Sequence, residues 1–144
     1  MTTNGQRSVE QTTVRERLTE FYAAFNRAVT DRGGTDELAA ILEGDVTWTD
    51  ATTGDRAART ETGIDAVLES AVTAPGRHAD HLQALPERFV DAGETMIVTG
   101  AYVGTIDGRD FDIGFVHVFE ARDGRIQRCT AYRDTAFEQR VFDA

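Results

Sequence analysis

Three side chains in this sequence combine the type and the setting that proton chemistry requires. Asp50 closes the stretch "DVTWTD", in which Val46, Trp48 and Asp50 alternate with Thr47 and Thr49. In a strand, that period of two puts the carboxylate on one face with the chain's only tryptophan. A carboxylate against an apolar wall loses solvation and becomes a better proton acceptor, able to take a proton from a carbon beside a carbonyl. His117 alternates with Phe115 and Phe119 in "FVHVF", so an imidazole also projects from an apolar face. Histidine gives or takes a proton near neutral pH. Arg133 offers a planar fork of donors. Paired with Asp50, it would weaken that acid as a base and turn the site into an anion or carboxylate binder.

Each of the three has a plainer reading. Asp50 can cap its own loop, since "DATTG" can form an Asx-turn. His117 can be a core histidine bonded to a backbone carbonyl. A shift of one residue in the last strand would send Arg133 to solvent and bring Tyr132 in. Other spacings carry less chemistry. His78 and His81 have a metal-like spacing on a helix, but they fall at a strand start, where they face opposite sides. No ligand cluster accompanies them, so no metal and no cofactor are expected. Cys129 has no base at a known distance and reads as a small buried apolar residue. "GTIDGRD" is a hairpin, because no strand–Gly-loop–helix context surrounds it.

The elements that must position these residues follow from periodicity. Ser8 with Gln11 gives a capping-box signal, and Val14, Leu18, Phe21, Phe25 and Val29 recur at steps of three or four. That is a long amphipathic helix, stopped by "DRGG". Thr35 opens a short second helix carrying Leu38, Ile41 and Leu42, which Gly44 ends before the tryptophan strand. "ATTGDRAART" has no periodicity and reads as a loop. Thr62 with Asp65 opens a third helix bearing Ile64, Val67 and Leu68, broken at "APGR". Four strands are then expected near 79–90, 94–106, 109–121 and 125–134, separated by "DAGE", "DGRD" and "RDGR", each with hairpin residues. Helices on one side of a curved antiparallel sheet make an α+β fold. Residues 1–7 read as a disordered tail and 8–144 as a single domain.

Bulk properties narrow the partners. The 144 residues carry a net charge of -10, and all fifteen basic residues are arginine. Such a chain repels nucleic acid and anionic membranes. A salt-adapted cytoplasm and a GC-rich genome that favours arginine codons both account for the missing lysine. No apolar run approaches the roughly 18 residues of a membrane span. The polar start and the single cysteine point to a reducing, cytoplasmic setting.

The order of elements, with "LTEFYAAFN", "LAAILEGDVTWTD", "TGIDAVLES" and "GFVHVFEARDGRIQRCTAY", resembles the NTF2-like superfamily, in particular the SnoaL-like polyketide cyclases and ketosteroid isomerases. The resemblance spans nearly the whole chain. It implies a cone-shaped α+β barrel, a sheet wrapped around three N-terminal helices with an apolar pocket between, and frequent homodimers through the outer sheet face. Matching the "DGRI" turn to the family puts Cys129, Ala131 and Arg133 inward. Strand parity puts Ile97, Thr99, Ala101 and Val103 inward, and Phe111, Ile113, Phe115, His117 and Phe119 on one shared face. Asp50 then falls where the isomerases carry their general base, a chemistry already worked out for those enzymes.

The departures from the family matter equally. The isomerases' helix-one tyrosine falls at Phe21, with Tyr22 one position on, about 100° around the helix. Their donor acid has no counterpart on "GFVHVF", so steroid isomerisation is set aside. Epoxide-hydrolase chemistry of the related limonene family is set aside too, because its charged positions meet Thr99, Ala101 and Ala131.

The expectation is therefore a protein for a small, largely apolar, carbonyl-containing molecule. If it is an enzyme, it is an isomerase- or cyclase-type acid–base catalyst without cofactor. Asp50 would be its base and His117 its acid or oxyanion donor. The pocket would be formed by Phe21, Trp48, Thr99, Phe115, Phe119, Cys129 and Arg133. Two alternatives stand beside it. One is a non-catalytic ligand-binding or dimeric scaffold. The other is an interaction module on an outer sheet face bearing Tyr102, Asp110, Asp112 and Arg128.

Overall fold

The computed structural model describes residues 3–31, 34–51 and 57–134. Helix α1 runs Thr3–Asp31, so the span expected as a tail is helical from residue 3. The side chains of Ser8 and Gln11 lie outside the described residues. Leu18, Phe21, Tyr22, Phe25 and Ala28 are all buried. They recur at i, i+3, i+4, i+7 and i+10, the broad stripe of a helix laid flat on a core. A second helix, α2 (Thr35–Ile41), gives way at once to strand β1 (Leu42–Asp50), so Leu42 belongs to the strand and not to the helix.

The stretch read as a loop runs into a four-residue strand, β2 (Arg59–Thr62), paired antiparallel to β1 from Thr47↔Thr62 to Asp50↔Arg59. It is mostly exposed, so it carries no apolar alternation to betray it. Residues 52–56, and with them the Asx-turn expected after Asp50, lie outside the described residues.

The third helix does not break at "APGR". α3 (Ile64–Leu68) continues through a π-helical turn, Glu69–Thr73, into α4 (Ala74–His78). A proline inside a helix lacks its N–H and clashes with the carbonyl four residues back. The wide turn immediately before Pro75 accommodates that defect.

Strands β3 (His81–Ala92), β4 (Thr95–Ile106), β5 (Arg109–Arg122) and β6 (Arg125–Arg133) complete a sheet in the order β2-β1-β6-β5-β4-β3. The sheet is mixed, because β1 lies parallel to β6. The expectation of a purely antiparallel sheet is corrected at that one junction. The two "DG" turns have positive φ at both central residues, 51° and 75° at Asp107–Gly108 and 53° and 78° at Asp123–Gly124. That is the type I′ geometry, which matches the twist of the flanking strands and fixes register.

The helices cover one face of this curved, unclosed sheet, giving an α+β cone. Asn26 of α1 fastens them to edge strand β3. Its side-chain amide donates to the Ala84 carbonyl at 3.0 Å, and its carbonyl accepts from the Ala84 N–H at 2.7 Å. The pair stands in for the missing neighbour strand at that edge. Among the described residues no helix is long and apolar enough to cross a membrane.

Candidate functional site

The tight β4–β5 turn pairs Ile106 with Arg109, and the ladder then carries Tyr102↔Ile113, Gly100↔Phe115 and Val98↔His117. Opposed residues share a face. Val98, Gly100 and Tyr102 therefore look inward with His117, and Thr99, opposite Val116, looks outward. This corrects the assignment of Thr99 to the pocket and of Tyr102 to the outer face. Apolar residues occupy both faces of β4, so its periodicity does not choose between them. The two-residue turn does: residues on β4 and β5 that pair have numbers summing to an odd value, so an odd-numbered inward face on β5 demands an even-numbered one on β4.

A cavity of about 140 Å³ lies between the sheet and the helices. Trp48 and Asp50 enter it from β1, Leu82 from β3, Tyr102 from β4, Phe111 and Ile113 from β5, and Arg133 from β6. Phe25 closes it from α1, and Ser70, Ala71 and Pro75 from the π-turn and α4. A cavity of this size holds one six-membered ring, as cavities of about 150 Å³ do in other proteins. Greasy walls with a few convergent polar groups are the usual makeup of a small-molecule site.

Of the residues expected in the pocket, Trp48, Asp50 and Arg133 line this cavity. Asp50 and Arg133 meet there, with Arg133 Nη1 donating to Asp50 Oδ1 at 2.6 Å. Both side chains are about three-quarters buried, at 29% and 22% exposure. Asp50 is opposite Ala131 in the parallel β1–β6 ladder, and Tyr132, at 48% exposure, takes the outward position. A short charge-assisted bond in this setting fixes the carboxylate's orientation.

Phe21, Phe115, Phe119 and Cys129 do not line the cavity. They are buried beside it, because the aromatic stripe of α1 packs directly onto that part of the sheet and fills it. Phe21 stands edge-on to Phe119 at 5.5 Å, and Phe115 stacks on His117 at 4.0 Å. Burial pushes the Cys129 thiol up, with the Asp50 charge adding to the effect, which leaves it protonated and inert.

His117 is 1% exposed, the one fully buried polar side chain of the described core. It too is absent from the cavity wall, which corrects its placement as a group that touches a ligand. Both ring nitrogens are taken by tyrosines. The Tyr22 hydroxyl is 2.7 Å from Nδ1 and the Tyr102 hydroxyl 2.8 Å from Nε2. Burial first, and the Arg133 charge second, hold the imidazole down at about 3. It is neutral at physiological pH, and a neutral ring serves as a bridge rather than as an acid. Burial also raises the Tyr22 phenol far above its ordinary value, with Cys129 and Tyr102 adding to the effect. Tyr22 is therefore a fixed O–H group.

Sequence reasoning missed two members of this site. Tyr22 was legible in the α1 stripe, where Leu18, Tyr22, Phe25 and Val29 follow i, i+4, i+7 and i+11. Tyr102 was legible in the "DG" turn, by the parity argument above. Among the described residues no group of three or more His, Cys, Asp or Glu side chains is arranged to hold a metal.

Comparison with known proteins agrees with this architecture. A SnoaL-like domain model matches residues 18–129. The fold is similar to that of an NTF2-like protein of unknown function from Burkholderia pseudomallei K96243, at 26% identity and TM-score 0.76, over 92% of this chain and 98% of that one. It is also similar to an NTF2-like protein from Burkholderia thailandensis E264, at 24% identity and TM-score 0.73, over 89% of this chain and 95% of that one. A protein with a ketosteroid isomerase-like fold from Catenulispora acidiphila DSM 44928, solved in complex with trimethylamine, aligns at 17% identity and TM-score 0.68, over 86% of this chain and 92% of that one. No curated protein matches the sequence. With the model spanning well over half its length and the cone and its element order in place, the chain belongs to the SnoaL-like domain family.

Proposed function

We propose that this protein binds a small, largely apolar carbonyl compound in the cavity and moves a proton on it, with Asp50 as base. The observation that carries the reading is the meeting of Asp50, Arg133 and Tyr102 on the wall of one apolar cavity. Asp50 would take the proton from the carbon beside the carbonyl, leaving negative charge on the carbonyl oxygen. A donor aimed at that oxygen stabilises the charge as it forms. In this reading Tyr102, a lining residue, takes that role in place of His117, which does not line the cavity. Arg133 holds the carboxylate in one orientation.

Deuterium exchange at the α-carbons of cyclohexanone, followed by proton NMR in D2O, tests the reading. The protein accelerates exchange over buffer, and Asp50→Asn abolishes the acceleration. A protein that binds the ketone but exchanges it no faster than buffer rules proton transfer out.

A second reading is a ligand-binding scaffold without catalysis, and the Arg133–Asp50 bond at 2.6 Å favours it, because the base is already engaged. The trimethylamine in the Catenulispora acidiphila protein shows that a neighbour of this fold takes a small molecule. In this reading cyclohexanone binds and does not exchange. Either reading is compatible with a homodimer through the outer sheet face, where Leu85, Val90 and Tyr132 are the exposed large apolar residues of the described chain.

A further inference from the structure

The sheet under the helices is laid in rows across three strands. Leu82 of β3, Gly104 of β4 and Phe111 of β5 are opposed in one row. Pro86, Gly100 and Phe115 are opposed in another, four residues along. In both rows the middle residue is glycine, and the phenylalanine leans across it. A Cβ on Gly104 would come within 2.9 Å of Phe111 Cζ, and one on Gly100 within 2.8 Å of Phe115 Cζ. Above the rings the two rows differ. Tyr22 of α1 stacks on Phe115 at 6.1 Å, so the helix fills the space there. Above Phe111 the space is the cavity, lined at this end by Phe111, Ile113 and Leu82. With Ile106 these three form a small apolar cluster separate from the main core.

Phe111 closes the end of the cavity away from the ion pair. Arg133 is opposite Phe115 in the β5–β6 ladder, and Phe111 is four residues further on, about 13 Å along the strand. Phe111, Ile113 and Leu82 are buried, whereas Asp50 and Arg133 keep some solvent contact. A ligand whose carbonyl sits at Asp50 therefore points its hydrocarbon end at Phe111. We infer that Phe111, held across Gly104, is the specificity-determining wall that limits the ligand to single-ring carbonyl compounds and turns fused-ring ones away. The whole cavity, at about 140 Å³, is filled by one ring. The β4 backbone at Gly104 lies directly beneath the Phe111 side chain, so the wall does not retreat. Extra methylenes forced against it would have to displace packed side chains or backbone. The limit deepens the proposed function by naming its substrate class, and rests on that reading only for which end of the ligand faces Asp50.

The test compares cyclohexanone with trans-2-decalone, which adds a second ring on the side away from the carbonyl. Trp48 is the chain's only tryptophan and lines the cavity, so its single indole N–H signal in a nitrogen-15 spectrum reports occupancy. Given room, the more apolar decalone would bind the tighter of the two, because more carbon leaves water. Wild-type protein is expected to bind it at least about 10-fold more weakly, the usual order for overfilling a packed site. Wild-type protein that binds decalone as well as cyclohexanone overturns the inference without any variant having to fold. Phe111→Ala removes six ring carbons from the closed end, and decalone then becomes the preferred ligand. Phe111→Leu, a milder truncation, shifts the ratio in the same direction by a smaller factor. A general loosening would change both affinities together, so the ratio reads the wall itself. A folded variant with the wild-type ratio overturns the inference. Size selectivity without deuterium exchange of cyclohexanone overturns proton transfer and leaves the limit intact, and exchange without selectivity does the reverse. A Trp48 signal that moves with neither ketone overturns both.

Discussion

Tyr102 joins His117 to the cavity wall: its hydroxyl is 2.8 Å from Nε2, and the residue is part of the cavity lining, which His117 is not. The one buried histidine of the described core is thus tied to the cavity lining through a phenol hydroxyl and is not itself part of that lining. That relationship separates two layers. The outer layer holds Asp50, Arg133 and Tyr102, which line the cavity. The inner layer holds His117 and Tyr22, packed among Phe21, Phe115 and Phe119, which hold Tyr102 in place.

The inner layer has a pH signature. The unfolded chain binds a proton at His117 near the ordinary 6.5, whereas the folded chain does so only near 3. Between those values the unfolded state holds more protons, so stability falls as pH drops, by up to about 1.4 kcal/mol per unit from this group. The ionisable groups that act on the ring are Tyr22 and Tyr102, bonded to its nitrogens, and Arg133, which is charged in this window. His117→Gln is expected to be less stable than wild type at pH 7 and to show a flatter loss between pH 6 and 4. Urea midpoints across that range check it, and parallel curves for the two proteins would refute the assignment.

The outer layer rests on one ion pair. Removing either partner leaves a charge in a three-quarters-buried setting, so Asp50→Asn and Arg133→Met are each expected to destabilise. Because both groups keep some solvent contact, their coupling should be on the order of 1 kcal/mol rather than the 3–5 kcal/mol of a fully buried pair. A double-mutant cycle in urea measures it. A coupling indistinguishable from zero would mean that the bond at 2.6 Å does not hold the carboxylate in solution.

The close approach of β3 to β4 beside the cavity requires a glycine. A Cβ on Gly104 would overlap the His81 carbonyl oxygen and come within 2.9 Å of the Phe111 ring. Both obstacles are fixed, one being backbone and the other a cavity wall. Gly104→Ala is expected to cost about 2 kcal/mol or more, within the range for overpacking a tight site. Thermal unfolding tests this, with Gly114→Ala, which meets no heavy atom within 4 Å, as the control. Equal melting temperatures for the two variants would contradict the steric account.

Much of the fold was legible in single residues, because period and turn chemistry are local. The α1 stripe, the alternation in "TWTD" and "FVHVF", and the "DG" turns all act over a few positions. β2 was not legible, since four mostly exposed residues take their strand form from pairing with Thr47–Asp50 and not from their own pattern. The π-turn before Pro75 was not legible either. Proline marks a defect, and whether a helix stops there or widens is decided by packing. For the site, the resemblance led to Asp50 and Arg133, while His117 drew attention by its type. Its true surroundings required register between β4 and β5 and the azimuth of Tyr22, both non-local quantities.

One measurement bears most directly on the central claim, that Asp50 and Tyr102 act together on a carbonyl in the cavity. It is the rate of α-deuterium exchange of cyclohexanone with wild-type, Asp50→Asn and Tyr102→Phe proteins at equal bound fraction. The account predicts that exchange falls at least about 100-fold in Asp50→Asn and by a comparable factor in Tyr102→Phe, the usual weights of a base and of one oxyanion donor. Wild-type exchange at the buffer rate, or variants that exchange as fast as wild type, would contradict it.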